Sequence, residues 1–330
     1  NDLWRVPLDG GTALPLASPA GVELMPRFNP DGSQVAFVGN YDGGRDIYTV
    51  PVRGGVPQRV THHPSGEVLS DWTNDGDLLF SARNMGSLPM TESPFQVNSE
   101  GGLPKQLPVP YGANPVMNKS GTWLAYTPHQ RDNRTWKRYR GGMASDIWLV
   151  NMETGESKRV TDWEGTDTIP MWHNDELFYL SDAGDEHRLN LWKYNTSNDQ
   201  HTQLTRFDDY DVKWPAIGPD DAGKAKIVFQ RGPAIWVYDD QTRTTKKIDI
   251  DVPGATASLR PKMVDTSEYL QQMGISPTAK RAVAEARGDI WTMPAKKGSP
   301  RNLTRTSAFA ERTPSWSPDG KWIAYFSDEP

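Results

Sequence analysis

Residues 131–140 read RDNRTWKRYR and place five Arg or Lys in ten positions. The chain as a whole is acidic, with 36 Lys+Arg against 42 Asp+Glu and a formal net charge of −6. Such a protein has no global attraction for nucleic acid or an anionic membrane, so positive charge in one short stretch is a local device. Arg138 and Arg140 carry the planar fork that holds a carboxylate by paired hydrogen bonds, and Lys137 adds a diffuse positive charge. Trp136 and Tyr139 offer rings that stack on a ligand or on the guanidinium groups. The chemistry this suggests is a surface that receives an anion, such as a peptide carboxylate. A scaffold role suits the same residues: Arg138 and Arg140 pairing with acidic neighbours to pin a long loop, the commoner arrangement.

Other residues with chemical potential are fewer. His62 and His63 are adjacent, while His129, His173, His187 and His201 are scattered. An adjacent pair could join carboxylates around a metal, but no spacing fixes the partners, so no metal site is expected and the pair is kept only as a candidate ligand-binding element. The chain has no Cys, which excludes thiolate nucleophiles, thiolate metal sites and disulfides. No Gly-x-Ser-x-Gly string occurs, so a local Ser triad is unsupported. GPDDAGKA (218–225) matches Gly-x4-Gly-Lys but has Ala225 where a phosphate loop needs Ser or Thr, and it falls in a hairpin. No catalytic residue and no cofactor is therefore expected from this chain.

The elements that carry these residues repeat. NPDG (29–32), TNDG (73–76), NKSG (118–121), WHND (172–175), GPDDAG (218–223), SPTA (276–279) and SPDG (317–320) are seven turn slots, each between two apolar segments. Where Pro precedes Asp-Gly, it sets the second turn residue and Gly takes the left-handed position, which closes a hairpin. A third strand follows each complete hairpin, as in DIYTV (46–50), PFQV (94–97), DIWLV (146–150), NLWKY (190–194), AIWVY (234–238) and DIWTM (289–293). A fourth follows in PQRVT (57–61), SKRVT (157–161) and TQLT (202–205).

Four antiparallel strands every 41 to 58 residues or so are the signature of propeller blades. DLWRV (2–6) and LPLAS (14–18) supply a third and fourth strand at one end, and the chain finishes on a first and second. The expectation is an all-β propeller over 1–330 with seven four-stranded blades, residues 1–17 and 311–330 sharing one. Six blades plus an extra partial blade is the alternative. The recurring Asp2, Asp46, Asp146 and Asp289 suit a structural bond at a strand start. Trp4, Trp148, Trp192, Trp236 and Trp291 suit packing between blades. The basic stretch is then the longest loop between a second and a third strand, about 17 residues against 3 to 10 in its counterparts. Long loops on rigid scaffolds carry function.

The Pro-Asp-Gly blades resemble those of tricorn-type proteases and of the periplasmic propeller of the Tol system. TWKRYRGGMASDIWLV, with DLWRVPLDGG and the segment from EARGDIWTM to the end, is similar specifically to the amino-terminal propeller region of tricorn-like serine proteases. The resemblance implies a piece of a longer protein, in which two propellers precede a PDZ-like module and a catalytic domain carrying the Ser and its His. The implied function is a non-catalytic module that gates or positions peptides for that absent domain, the parent being a serine peptidase. In the archetype the first propeller has six blades, and the segment after about residue 252 would start a second. A free-standing scaffold binding a protein partner is the alternative, and a metal-dependent propeller lyase or hydrolase the third. The expected partners are a peptide or a protein and the parent's own domains, with no nucleic acid and no membrane. No apolar run approaches the ~20 residues that span a bilayer, and neither cytoplasm nor periplasm is excluded.

Overall fold

A computed structural model of the chain describes residues 2–17, 21–130, 132–133, 137–254, 264–306 and 308–329. The chain forms two compact units, Asn1–Gly254 and Ala255–Pro330. The first unit opens with β1 (Leu3–Arg5), β2 (Gly11–Thr12) and β3 (Leu14–Ala17). Five four-stranded sheets follow. The first blade is β4 (Glu23–Phe28), β5 (Gln34–Gly39), β6 (Asp46–Pro51) and β7 (Gln58–Arg59); the second is β8 (Glu67–Trp72), β9 (Asp77–Arg83), β10 (Glu92–Asn98) and β11 (Lys105–Gln106). The third is β12 (Ala113–Met117), β13 (Trp123–Thr127), β14 (Trp148–Asn151) and β15 (Ser157–Arg159). The fourth is β16 (Asp167–His173), β17 (Glu176–Ser181), β18 (Asn190–Asn195) and β19 (Gln200–Gln203). The fifth is β20 (Val212–Pro219), β21 (Ala225–Arg231), β22 (Ala234–Asp239) and β23 (Thr244–Ile248), and β24 (Ile250–Asp251) ends the unit. In the second unit a 3₁₀ turn (Ser267–Tyr269) leads into a sixth four-stranded sheet. Its strands are β25 (Leu270–Ile275), β26 (Arg281–Ala286), β27 (Asp289–Pro294) and β28 (Arg301–Asn302), and the pair β29 (Glu311–Trp316) and β30 (Ile323–Ser327) follows.

These are propeller blades, all antiparallel, with strands in chain order. The third strands fall where the repeat puts them, except that β14 begins at Trp148, two residues late. The seventh repeat is present as two halves: β1 takes β3 as its partner and β29 takes β30, each within its own unit. One link was not foreseen from sequence. β2 runs parallel to β24, with Gly11 N donating to Asp249 O at 2.9 Å and Ala13 N to Asp251 O at 2.7 Å, so the end of the first unit returns to its beginning. Gly10 is required there, since its φ is +94° and a Cβ would stand 2.5 Å from Asp249 O.

Second strands are buried along nearly their whole length rather than on alternate residues, as in β5, β9 and β17. They are covered on both sides because each sheet packs face to face with its neighbours, which favours near-continuous apolar runs. A separate apolar cluster fills each junction from the β1–β3 pair to the fifth blade; Val38, Ile47, Leu78 and Phe80 join the first blade to the second, and Leu180, Leu191, Ile227 and Phe229 the fourth to the fifth. Each fully buried side chain of this size contributes about 1.5–3 kcal/mol. Trp148, Trp192 and Trp236 pack against these clusters, as their recurrence implied.

First strands share a further device. A register shift interrupts β4, β12, β16, β20 and β29, where Met25, Asn114, Ile169, Trp214 and Thr313 take φ between 49° and 57°, each followed by Pro. Proline cannot donate to a ladder, so the chain places it at a bulge, which re-aims the residue beside it. In the third, fourth and fifth blades these bulges underlie the basic loop.

Candidate functional site

The basic loop runs from Thr127 at the end of β13 to Trp148 at the start of β14. Two legs fasten it to neighbouring blades. On the first, Asp132 Oδ1 accepts from Thr168 Oγ1 at 2.7 Å and its Oδ2 from Asn114 Nδ2 at 3.2 Å, tying the loop to the first strands of two blades. On the second, Lys137 Nζ meets Asp211 Oδ2 at 2.9 Å, ahead of β20, and Arg138 Nε donates to His187 O at 3.1 Å, between β17 and β18. Arg138 holds this place with φ of 54°, a region that non-glycine residues rarely occupy. Arg140 lies over the Trp163 ring at 4.9 Å, with Glu164 Oε2 3.9 Å from its Nη1. Tyr139 turns back on its own loop, where Gly141 has φ of +138° and a Cβ would stand 3.0 Å from Tyr139 Oη. Trp136 lies outside the described residues.

The loop thus spans the third, fourth and fifth blades. Beneath its second leg is a cavity of about 60 Å³ walled by Asp132, Lys137, Arg138, Asp182, Asp211 and Trp214. That is room for about two waters, so a peptide would lie on the loop rather than in the hole. Beside the first leg is a larger cleft of about 300 Å³ that includes Arg83, Gln130 and Asn133. His62 is exposed in the loop joining the first two blades, whereas His63 Nδ1 accepts from Ser65 N at 3.1 Å. The structure brings Lys137 and Arg138 together at the small cavity, sets Arg140 apart over Trp163, and leaves His62 and His63 in the loop that joins the first two blades. His173 contacts Gly223 O at 3.2 Å and His201 contacts Tyr179 Oη at 2.8 Å, each on a separate wall. Among the described residues no group of three His, Asp or Glu is placed to hold a metal. Residues 220–224 form the turn between β20 and β21, with Asp220 Oδ1 accepting from Ala222 N and Lys224 N at 2.9 and 2.8 Å.

Behind these surfaces the third and fourth strands of each blade are tied by one repeated set of bonds. Thr61, Thr161, Thr205 and Thr304 accept the backbone N–H of Ile47, Ile147, Leu191 and Ile290 at 2.8 to 3.2 Å. Asp46 pairs with Arg59 at 2.8 Å, Asp146 with Arg159 at 3.0 Å, and Asp289 accepts from Thr304 Oγ1 at 3.2 Å, which is the structural bond expected of the recurring Asp. An acid at the next first strand completes the set. Glu67 and Asp167 are almost wholly buried. Burial, with the Asp46 carboxylate beside it, pushes Glu67 up to about 8, and burial pushes Asp167 up to about 7, Ser181 and Thr161 pulling the other way. In the fifth blade Val212 fills this slot, its N donating to Leu189 O at 2.8 Å as Asp167 N does to Ser145 O at 2.9 Å, and Asp211, the partner of Lys137, stands one residue ahead of it. Sequence reasoning missed Asp132, Asn114, Thr168 and Asp211. Nothing in the local sequence marks Asp211, since the six-residue spacing from a fourth-strand Thr that it shares with Glu67 and Asp167 puts it one residue ahead of their slot.

Residues 1–244 match the family described as the tricorn protease N-terminal beta propeller domain. The chain belongs to that family. It is 28% identical over 334 residues to tricorn protease homolog 1 of Streptomyces coelicolor, covering 99% of this chain and 30% of that protein. The chain therefore spans about a third of the length of this relative. The crystal structure of the tricorn protease superimposes with a TM-score of 0.64 at 16% identity, covering 98% of this chain and 40% of that one. TolB from Acinetobacter baumannii gives 0.57 at 16% identity, covering 74% of this chain and 58% of that one. Likeness at that identity concerns the fold alone. The tricorn family match ends close to Gly254, where the first compact unit ends. No helix among the described residues is long and apolar enough to cross a membrane.

Proposed function

We propose that this tricorn-family propeller is a non-catalytic module that positions extended peptides for a catalytic domain elsewhere in a longer serine peptidase, together with a PDZ-like module. The observation that carries the reading is the basic loop. It is the longest second-to-third-strand connection, it crosses the ends of three blades, and it carries Lys137, Arg138 and Arg140 on an acidic protein. Lys137 is paired with Asp211, which leaves Arg138 and Arg140 as the groups for a peptide carboxylate. Among the described residues Arg138 uses only Nε, on His187 O, and the Glu164 contact of Arg140 is long and exposed on both sides, the kind that contributes little and yields to a competing anion. The fastened legs support pre-organisation: a loop already held at Asp132 loses little entropy on binding.

A direct test titrates the chain with a neutral peptide ending in a free carboxylate and with its amidated twin. Tighter binding of the free acid, weakening as salt is raised, is the expected outcome. Equal affinity of the two would contradict a carboxylate-receiving loop. The chain alone is expected to hydrolyse neither peptide, since no activated nucleophile is identifiable in it.

A further inference from the structure

The cleft of about 300 Å³ beside the first leg of the basic loop is lined by Ser65, Arg83, Asn84, Glu92, Gln130 and Asn133, among others. Its size is at the lower end of ligand-binding pockets, and its walls are unusual for one. Arg83 ends β9 and stands opposite Glu92 across the strand pair. Among the described residues no ion pair joins the two, and the Glu92 carboxylate instead accepts from Ser81 Oγ at 2.6 Å. Among the described residues no partner holds the Arg83 guanidinium, which leaves its fork to a ligand. The stem of Arg45 lies against Gly66, the next wall residue, and adds a second positive charge nearby, for which the described residues supply no ion pair. The remaining polar side chains, Asn84, Gln130 and Asn133, are amides that both donate and accept. The wall at Ser65 is braced by His63, and Asn84 accepts from Met90 N at 2.8 Å, which stiffens the loop on the other side.

The Arg83 guanidinium with the neutral amides of Asn84 and Asn133 beside it matches a carboxylate on a peptide backbone: the fork takes the two oxygens and the amides take main-chain N–H and C=O groups. Glu92 on the same wall disfavours a dianion such as phosphate. We propose that this cleft is a subsite for a Glu or Asp side chain of an extended peptide, received by Arg83. The inference rests on the reading that a peptide lies along the basic loop, and it adds a second point of recognition in which sequence, not only a chain end, is selected. His63 then acts as a positioning residue for the Ser65 wall.

The test uses the 330-residue chain and six-residue alanine peptides, acetylated and amidated so that no terminal carboxylate is present, carrying one central Glu, Gln or phosphoserine. The Glu peptide is expected to bind at least about tenfold tighter than the Gln peptide. Arg83→Ala should remove that preference with no change in melting temperature, and Arg138→Ala with Arg140→Ala should leave it intact. No preference for Glu, or a preference that survives Arg83→Ala, overturns the proposal. So does a phosphoserine peptide that binds tighter than the Glu peptide. A further Gln peptide, acetylated but left with a free carboxyl end, reports separately on the basic loop, so failure of one site does not mask the other.

Discussion

At the junction of the first and second blades, Thr61 accepts from Ile47 N at 2.8 Å, Asp46 pairs with Arg59 at 2.8 Å, and Glu67 is the buried acid. At the junction of the third and fourth, Thr161 accepts from Ile147 N at 2.9 Å, Asp146 pairs with Arg159 at 3.0 Å, and Asp167 is the buried acid. The bonding is the same to within 0.2 Å, yet the surfaces above differ. Over the first junction lies an open polar cleft bordered by Arg83; over the second runs a loop fastened through Asp132, with only a small cavity below. The rigid part of a blade is thus set by the repeat and the chemical part by the loop it carries. Any substitution in the shared bonds should affect stability alike at both junctions, whereas substitutions in the loops should separate them.

The largest effects should come from the apolar clusters. Phe80→Ala, in the cluster between the first two blades, and Phe178→Ala, in that between the fourth and fifth, should each cost about 3–5 kcal/mol in chemical denaturation. Near-equal losses are expected, since both side chains are fully buried.

Smaller and pH-dependent effects should follow from the buried acids. Glu67 titrates near 8 in the folded chain against an ordinary 4.5, so between those values the folded state keeps a proton that the unfolded state has lost. Stability therefore falls as pH rises through this window. Glu67→Gln should flatten the fall and leave the variant about 1–3 kcal/mol more stable than the parent at pH ~8, relative to their difference at pH ~4. Asp167→Asn should do the same over a window ending near 7. Melting curves across pH 4 to 9 check both, and a parent whose pH slope is untouched by either change would contradict the assignment.

Much of this was legible in the sequence because turns and strands obey strong local rules. Pro-Asp-Gly at 30–32 and 318–320 marks a hairpin whatever surrounds it, and the alternating third strands locate themselves. What was hidden depends on residues far apart in the chain. Asp132 finds Thr168 across 36 positions, and Lys137 finds Asp211 across the whole fourth blade. The β2–β24 pair was equally hidden, since two residues opposite two others leave no periodic trace. Pairing of the two terminal halves in one blade is likewise not a local property, and it is proposed here as the completion of the seventh repeat. The chain has no Cys, so Arg5→Cys with Tyr325→Cys gives a clean reporter. Rapid formation of an intramolecular disulfide with a modest rise in melting temperature is expected. Its failure would favour six blades and a separate partial one.

The most direct measurement compares the parent with Arg138→Ala/Arg140→Ala, reading thermal melting and titration of a free-acid neutral peptide on the same samples. Binding should weaken by about 2–5 kcal/mol, because charge-assisted pairs are lost, and its salt dependence should disappear. Some loss of melting temperature is also expected, since His187 O and the Trp163 ring lose their partners. A much lower melting point with unchanged affinity would mean that the arginines serve the scaffold, and the peptide-positioning role would be contradicted.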